Sequence, residues 1–254
     1  MMDFAGKVAL VTGASRGIGA GIARVLGRAG VQVALHCASR RPEAERVAAE
    51  AAPKRSAVFQ ADLMAEDGAA ALWRAALAWR GHIDILINNA GIYEPAPVLE
   101  GDDDAWRTAW RRALQVNLVA AAELSRHAVR HFVPRGGGII VNVASRAAFR
   151  GDAMDYANYA ASKGGMIALT RTHARAHAGQ GVLVYAVAPG FVRTEMAEHS
   201  FRHGIDEAAV QAEIPMGDIA PVGDVANVVA FLASGLAPHA TGTTVDVNGA
   251  SYVR

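Results

Sequence analysis

Short apolar runs alternate with amphipathic stretches along most of the chain. Seven runs rich in Val, Ile, Leu and Ala have the length of a buried strand, and the segments between them have the wider apolar spacing of a helix. Strands that are apolar on both faces and separated by helices predict a parallel sheet that is covered on both sides. The predicted strands are 7–13, 31–36, 57–60, 83–88, 138–144, 182–188 and 243–247, and the predicted helices are 17–29, 41–52, 65–80, 102–131, 157–177 and 222–234.

No repeat or linker interrupts this alternation, so we predict a single α/β domain over residues 1–254 with about seven parallel strands. The composition, 52% hydrophobic and 19% charged, allows a large core.

The net charge of +1 comes without a basic cluster, so we do not expect nucleic-acid binding. No apolar run approaches the ~18 residues of a membrane span, and the N-terminus has no features of a leader. With Cys37 as its one cysteine, the chain fits a cytoplasmic protein.

Two polar clusters raise the question of a metal site. Asp102, Asp103 and Asp104 precede a predicted helix, where carboxylates cap the N-terminus and oppose the positive end of the helix dipole. His173 and His177 are four residues apart on another predicted helix. Neither cluster has a third ligand motif beside it, so we favour a helix cap and surface histidines and expect no metal.

A glycine-rich turn lies between the first predicted strand and the first predicted helix. Gly13, Gly17 and Gly19 have the spacing G-x-x-x-G-x-G within residues 12–19. Glycines at such a turn let the backbone approach a diphosphate, and the helix N-terminus offers N–H donors to it. An ordinary glycine turn is the alternative, and the position between strand and helix favours the nucleotide site.

The order of motifs resembles that of the short-chain dehydrogenase/reductase family over nearly the whole chain. That resemblance implies a Rossmann-type doubly wound sheet, a nicotinamide cofactor and a small-molecule substrate. It also implies a substrate lid at about 191–214 and a homotetramer formed through helices 102–131 and 157–177. The motifs that carry it are TGASRGIG (12–19), NNAG (88–91), VNL (116–118), YAASK (159–163), APGFVRT (188–194) and the closing segment TGTTVDVNGA.

Tyr159 and Lys163 are four residues apart on a predicted helix and therefore share one face. A tyrosine with a pKa of ~10 is a poor proton donor and acceptor near neutrality, and a nearby cation lowers that pKa. Tyr156 has Ala160 at the same offset and gains no cation. We therefore predict Tyr159 as the general acid/base and Lys163 as the group that lowers its pKa and binds the cofactor ribose.

The resemblance adds two residues to this catalytic group. It implies that Ser145, at the end of the fifth strand, orients the substrate oxygen and that Asn117 holds a water that relays protons to Lys163. Ser145 lies fourteen residues before Tyr159, one more than is usual in the family, and Arg146 occupies the usual offset. The strand pattern favours Ser145, with the extra residue absorbed in the following loop.

The second strand ends at Cys37 rather than at a carboxylate that would bind ribose hydroxyls and exclude a 2′-phosphate. Arg16 and Arg40 lie near that position, and an arginine suits a phosphate, so we predict a preference for NADP(H) over NAD(H). Surface arginines at a helix start are the alternative. The expected cofactor-binding residues are Gly13, Ser15, Arg16, Gly17, Ile18, Gly19, Ser39, Arg40, Asp62, Leu63, Asn89, Ala90, Gly91, Tyr159, Lys163, Pro189, Gly190, Val192 and Thr194.

The expected function is an NADP(H)-dependent oxidoreductase that interconverts a carbonyl and a secondary alcohol. A 3-oxoacyl thioester reductase is one candidate, although Gln180 stands where enzymes that dock an acidic carrier protein tend to have a basic residue. An NAD-dependent dehydrogenase of a sugar, polyol or other secondary alcohol is the alternative. A cofactor-binding module without turnover is disfavoured because the serine, tyrosine and lysine are all present.

Overall fold

The structure is a computed structural model that describes residues 3–202, 204 and 206–254. The described residues form one parallel seven-stranded sheet in the order β3-β2-β1-β4-β5-β6-β7, which confirms the predicted fold class. Burial on both faces explains why the strands are apolar without alternation. The strands are β1 (Val8–Val11), β2 (Gln32–Cys37), β3 (Ser56–Gln60), β4 (Ile85–Asn88), β5 (Gly138–Val143), β6 (Val182–Pro189) and β7 (Thr244–Val247).

Helices cover the sheet on both sides, and each side has its own apolar core. The core on one face joins the central strands to the first and last helices, and the other joins them to the helices that follow β3 and β4. The helices are α1 (Gly17–Arg28), α2 (Arg41–Ala51), α3 (Gly68–Arg80), α4 (Asp103–Leu114), α5 (Ala120–Phe132), α6 (Ala147–Arg150), α7 (Ala157–His177), α8 (Glu195–Arg202), α9 (Glu207–Ala212) and α10 (Val222–Ala233).

The order of the strands reverses beside β1. From β1 the chain proceeds outward through β2 to β3, then crosses back to β4 on the other side of β1 and continues to β7. In a doubly wound sheet a crevice opens at this point, outside the carboxyl ends of the strands. The fold therefore opens a crevice next to the glycine turn that follows β1.

The helix predicted over 102–131 is interrupted in the structure. A π-helical turn over Gln115–Val119 separates α4 from α5. Hydrophobic spacing does not reveal a single wide turn inside a helix, and such turns occur often at functional sites. The short helices α6, α8 and α9 were also not predicted, because four to eight residues are too few to show a helical period.

The acidic segment before α4 is a helix cap, as predicted. The Asp102 carboxylate accepts a hydrogen bond from the Ala105 backbone N–H at 3.1 Å, and Asp103 and Asp104 lie in the first turn. A search of the described residues for helices long and apolar enough to cross a bilayer finds none.

Buried amides connect the sheet to the helices that carry the site. The Asn88 side-chain amide donates to the Asn142 side-chain oxygen at 2.9 Å across β4 and β5. Asn142 in turn donates to the Thr170 hydroxyl on α7 at 2.8 Å, and Asn88 also donates to the Ser125 hydroxyl on α5 at 3.1 Å. These hydrogen bonds between buried side chains fix the positions of their elements, although the Asn88 side-chain oxygen is buried without a partner.

We expect Gly19→Ala to destabilise the fold, because a Cβ at this buried helical position would contact the Gly13 carbonyl oxygen and the Asn89 side-chain nitrogen. Overpacking of this kind costs about 1–3 kcal/mol. Gly223→Ala is the matched control, because Gly223 also lies in the first turn of a helix and a Cβ there meets nothing within 4 Å. Urea unfolding should place the midpoint of Gly19→Ala below that of the parent and the midpoint of Gly223→Ala at or above it. Equal midpoints would contradict the packing argument.

Candidate active site

A cleft of about 800 Å³ lies at the carboxyl ends of the strands. Of the expected site residues, all but Gly19 and Asn117 line it. These lining residues are Gly13, Ser15, Arg16, Gly17, Ile18, Ser39, Arg40, Asp62, Leu63, Asn89, Ala90, Gly91, Ser145, Tyr159, Lys163, Pro189, Gly190, Val192 and Thr194.

The glycine turn has the geometry that a diphosphate needs. Gly13 and Gly17 have φ angles of +63° and +54°, a conformation that glycine adopts without strain. A Cβ at Gly13 would lie 2.9 Å from the Ala90 Cα. Within the described residues, no side chain caps α1 and no acid lies in its first turn, so its N–H groups remain available to an anion. These features fit the phosphates of a dinucleotide.

Gly19 has a structural part in this turn and does not line the cleft, and its contact with a cofactor stays a prediction. The Asn89 side-chain amide donates to the Thr12 and Gly13 carbonyl oxygens at 2.9 and 3.1 Å. The Thr12 hydroxyl accepts hydrogen bonds from the Asn89 and Ala90 backbone N–H groups, both at 2.9 Å. Because Gly19 has no side chain, there is room for these hydrogen bonds between Asn89, Thr12 and Gly13.

His36 was not predicted and also supports the turn. Its Nδ1 accepts a hydrogen bond from the Gly13 N–H at 3.1 Å, so its Nε2 carries the proton that is donated to the Ala61 carbonyl oxygen at 3.0 Å. Burial lowers the pKa of His36, which keeps the ring neutral in this arrangement. One side chain thus connects β2 to the ends of β1 and β3, a contact that no local motif reveals.

Arg16 and Arg40 meet at one carboxylate that comes from the segment after β6. Their Nη1 atoms lie 2.8 and 3.0 Å from Glu195 Oε2. The hydrogen bond from Arg16 is the main cause of a lowered pKa at Glu195. The sequence near β2 contains no acid at this place, but the fold brings one there. An anion that binds both arginines must share them with Glu195 or displace it.

Tyr159 and Lys163 lie on the same face of α7, as predicted from their spacing. Lys163 Nζ is 5.6 Å from the centroid of the Tyr159 ring and donates to the Val143 carbonyl oxygen at 2.8 Å. The Ser145 hydroxyl lies beside the Tyr159 phenol. These three side chains, from the end of β5 and the start of α7, therefore converge on the cleft.

The pKa of Tyr159 is raised rather than lowered. Burial raises the pKa of Tyr159 to about 12, and the nearby Ser145 hydroxyl opposes that shift only in part. Burial also lowers the pKa of Lys163 to about 8. Removal from water disfavours the charged form of each group and is the main cause of both shifts, while the effect of Lys163 on Tyr159 stays a prediction.

Asn117 lies within the π-helical turn and is fully buried. Its side-chain oxygen accepts from the Ile92 N–H at 2.8 Å, and its amide donates to the Ile92 carbonyl oxygen at 3.0 Å and to the Ser162 hydroxyl at 3.1 Å. Both side-chain N–H bonds are thus in use. A water held by Asn117 would have to bind another of its atoms, and the proton relay stays a prediction.

A cluster of aromatic rings holds Tyr159 from the other side. Tyr93 meets the Tyr159 ring edge-on at 4.9 Å between centroids and stacks on Tyr156 at 3.9 Å. The Tyr93 hydroxyl donates to Asp152 Oδ1 at 3.3 Å. Neither Tyr93 nor Asp152 was predicted, because Tyr93 lies in an irregular loop and only the fold brings it to α7.

Arg146, at the offset usual for the serine, does not contact Tyr159. Its Nη1 donates to the Ser251 hydroxyl at 2.5 Å, and its guanidinium lies over the Phe191 ring at 5.2 Å. The segment between Ser145 and Tyr159 contains α6 and a 3₁₀ turn over Met154–Tyr156, and the place where the extra residue is absorbed stays a prediction.

The predicted lid begins against the glycine turn. A Cβ at Gly17 would lie 3.3 Å from the Thr194 Cγ2 atom, and Val192 forms an isolated parallel bridge with Ala220. Helices α8 and α9 occupy most of the lid range 191–214. Residues 203 and 205 of that range lie outside the described residues.

The chain matches known proteins over most of its length. A family model described as short chain dehydrogenase matches residues 7–204. The cis-4-hydroxycyclohexanecarboxylate dehydrogenase of Sinomonas cyclohexanicum is 37% identical and covers 97% of this chain and 96% of its own. A 3-oxoacyl-(acyl-carrier-protein) reductase of Staphylococcus aureus is 35% identical, with 97% and 98% covered. A solved Sinorhizobium meliloti structure, described as a short-chain alcohol dehydrogenase, has a TM-score of 0.90 at 31% identity and 98% coverage of both chains.

We expect Lys163 to titrate near pH 8, charged below that value and neutral above it. The chain has only three lysines, so lysine labelled at Cε with carbon-13 gives three signals, of which the exposed Lys7 and Lys54 provide two. The signal that is absent from Lys163→Arg identifies the third. Its NMR chemical shift should titrate at a lower pH than the other two, and three signals that titrate together would refute the desolvation argument.

Proposed function

Because the chain belongs to the short-chain dehydrogenase family, and is therefore an NAD(P)-dependent oxidoreductase, we propose that it interconverts a carbonyl and a secondary alcohol in the cleft beside Tyr159. The observation that carries this proposal is the convergence of Ser145, Tyr159 and Lys163 next to a glycine turn fit for a dinucleotide. Hydride transfer to a carbonyl needs a proton donor and a bound cofactor, and one cleft holds both a proton donor and a glycine turn suited to a cofactor.

In the reductive direction, a bound nicotinamide supplies the hydride to the carbonyl carbon. Tyr159 donates its phenolic proton to the carbonyl oxygen, which becomes the alcohol hydroxyl, so charge and protons balance. Ser145 donates a hydrogen bond to the same oxygen and orients it. The Lys163 ammonium stabilises the phenolate that Tyr159 leaves behind, because Nζ is buried and lies 5.6 Å from the centroid of the Tyr159 ring.

The pKa values favour reduction near neutral pH. With a pKa of about 12, Tyr159 is protonated at pH 7 and ready to act as an acid. Lys163, with a pKa of about 8, is charged at pH 7 and loses its charge as the pH rises through 8. Oxidation requires the phenolate as a base, a form that becomes more populated as pH rises. At neutral pH Tyr159 is therefore in the form that reduction needs.

We propose NADP(H) as the preferred cofactor, since Arg16 and Arg40 converge on one point of the cleft wall. An arginine pair suits the 2′-phosphate of NADP(H). One observation favours the alternative, an NAD-dependent dehydrogenase of a sugar, polyol or other secondary alcohol. Glu195 is bound to both arginines, and its carboxylate is placed where it would repel a phosphate.

Two of the relatives are named for different substrate classes. One relative is named for a hydroxycyclohexanecarboxylate and the other for a 3-oxoacyl group on a carrier protein. Gln180 forms a hydrogen bond with His177 at 2.9 Å rather than offering a positive charge to an acidic carrier. We therefore rank a free small molecule above a carrier-bound thioester.

We expect Tyr159→Phe to lower kcat for ketone reduction by about 100- to 10,000-fold, because the proton donor is lost. Binding of NADPH, followed by its fluorescence, should remain within a factor of about three. Tyr156→Phe is the matched control: Tyr156 lies three residues earlier, does not line the cleft and lacks a lysine at the following turn. If the two variants lose activity equally, the assignment of the proton donor is wrong.

We expect Arg40→Ala to raise the Kd of NADPH about tenfold or more, since a charge-assisted hydrogen bond to the phosphate is lost, and to leave the Kd of NADH nearly unchanged. Arg41→Ala is the matched control, because Arg41 pairs with Glu45 at 2.8 Å and does not line the cleft. Calorimetric titration with both cofactors measures the effect. An unchanged Kd of NADPH in Arg40→Ala would overturn the cofactor preference.

A further inference from the structure

A buried arginine follows the serine of the proposed catalytic group. The Arg146 side chain is only 7% exposed, yet it lines the cleft. Its Nη1 donates to the Ser251 hydroxyl, and one face of its guanidinium covers the Phe191 ring. Among the described residues, Ser251 is the one hydrogen-bond acceptor of this side chain. A buried guanidinium has five N–H donors, so most of them are left for another acceptor.

The nearest negative charge to Arg146 is distant and shared. Glu213 Oε2 lies 4.0 Å from Arg146 Nη2 and 3.5 Å from Arg150 Nη1. The Glu213 side chain is 57% exposed and follows α9 in the lid range, so it can leave without a large loss of packing. A buried positive charge with a weak partner is costly, and an anion that pairs with it more closely recovers that cost.

The acids around Arg146 and Arg150 balance these two arginines only while Glu213 is in place. Arg112 is neutralised by two hydrogen bonds to Glu94 at 2.9 and 3.0 Å. Asp152 is the other acid beside the pair: its charge attracts both Arg150 and Arg146, and it accepts hydrogen bonds from the Tyr93 hydroxyl and the Ala153 N–H. Departure of Glu213 therefore leaves one positive charge at Arg146 and Arg150 for another anion.

We propose that Arg146 and Arg150 form a subsite for a carboxylate of the substrate, which is therefore an oxo acid or a hydroxy acid. This inference rests on the proposed function: Ser145 binds the carbonyl at one end of the substrate, and the subsite binds the carboxylate at the other end. The substrate carboxylate replaces Glu213 between the two guanidiniums. A carboxylate is the anion of choice because the planar edge of a guanidinium binds two carboxylate oxygens and because a carboxylate already lies at this point.

The lining contributed by the lid and by the segment after Arg146 contacts the body of the substrate. It is contributed largely by apolar side chains, which favour a hydrocarbon skeleton over a polyhydroxylated one. The residues are Ala147, Ala153, Phe191, Met196, Ala197 and Val210.

The test uses linear oxo acids, whose ketone lies two to five carbons from the carboxylate, and one cyclic oxo acid. The turnover of each acid is compared with that of its own primary amide. The amide has nearly the same shape and no charge. We expect the parent enzyme to prefer the acid at least tenfold in kcat/KM for the best skeleton. Arg146→Gln should lower that acid-to-amide ratio about 10- to 100-fold, chiefly through KM for the acid. Glu213→Gln, an exposed change, should raise the ratio because a competing carboxylate is removed.

Two control variants separate binding from support of the fold. Ser251→Ala removes the hydrogen bond of Arg146 without changing the charge, and it should keep a preference for acids that Arg146→Gln loses. Arg193→Gln removes an arginine of the lid that pairs with Glu207 and Asp218 outside the cleft, and it should leave the ratio unchanged. A ratio that falls equally in Ser251→Ala and Arg146→Gln would show a structural role and overturn the subsite.

The outcomes distinguish the subsite from the reaction. Turnover of amides as fast as acids, with no response of the ratio to Glu213→Gln, overturns the subsite and leaves the oxidoreductase reaction standing. Turnover of none of these compounds counts against the proposed reaction, and calorimetric binding of the same acids and amides with cofactor present then tests the subsite alone. Equal Kd values for acid and amide would overturn it.

Discussion

The removal of two ionisable side chains from water is the constraint on which the site depends. Tyr159 and Lys163 are enclosed at the carboxyl end of β5, and burial shifts the pKa of each toward its neutral form. The phenol therefore keeps its proton at pH 7 while the lysine still has its charge. That combination needs a rigid frame, since small changes in solvent access would change both pKa values. The Val143 carbonyl oxygen, the Tyr93 ring and the Ser145 hydroxyl supply it.

The frame is itself supported by buried polar contacts between elements that are distant in the sequence. Asn88, Asn142 and Thr170 join two strands to α7, and Asn117 joins the π-helical turn to the loop after β4. Each contact satisfies groups that would be costly if unpaired. The same interactions that stabilise the fold therefore also fix the distance between the glycine turn and the proposed proton donor.

The sequence predicted the parts that depend on local spacing. Strand length, the glycine turn and the i, i+4 relation of Tyr159 to Lys163 are all visible within a few residues, and the structure confirms the fold and the shared helix face. Contacts between distant segments were not predictable: His36 supports Gly13, and Glu195 reaches Arg16 across 179 positions. The raised pKa of Tyr159 was also not predictable, because charge spacing is visible in a sequence and burial is not.

The segment after β6 presents one carboxylate to each end of the cleft. Glu195 contacts Arg16 and Arg40, and Glu213 contacts Arg146 and Arg150. Neither acid belongs to the converging serine, tyrosine and lysine. Substitution of either glutamate would thus change the binding of one ligand without affecting the binding of the other. The reacting groups would not be disturbed. Diversification of such a protein can proceed through this exposed segment while the interior is kept constant.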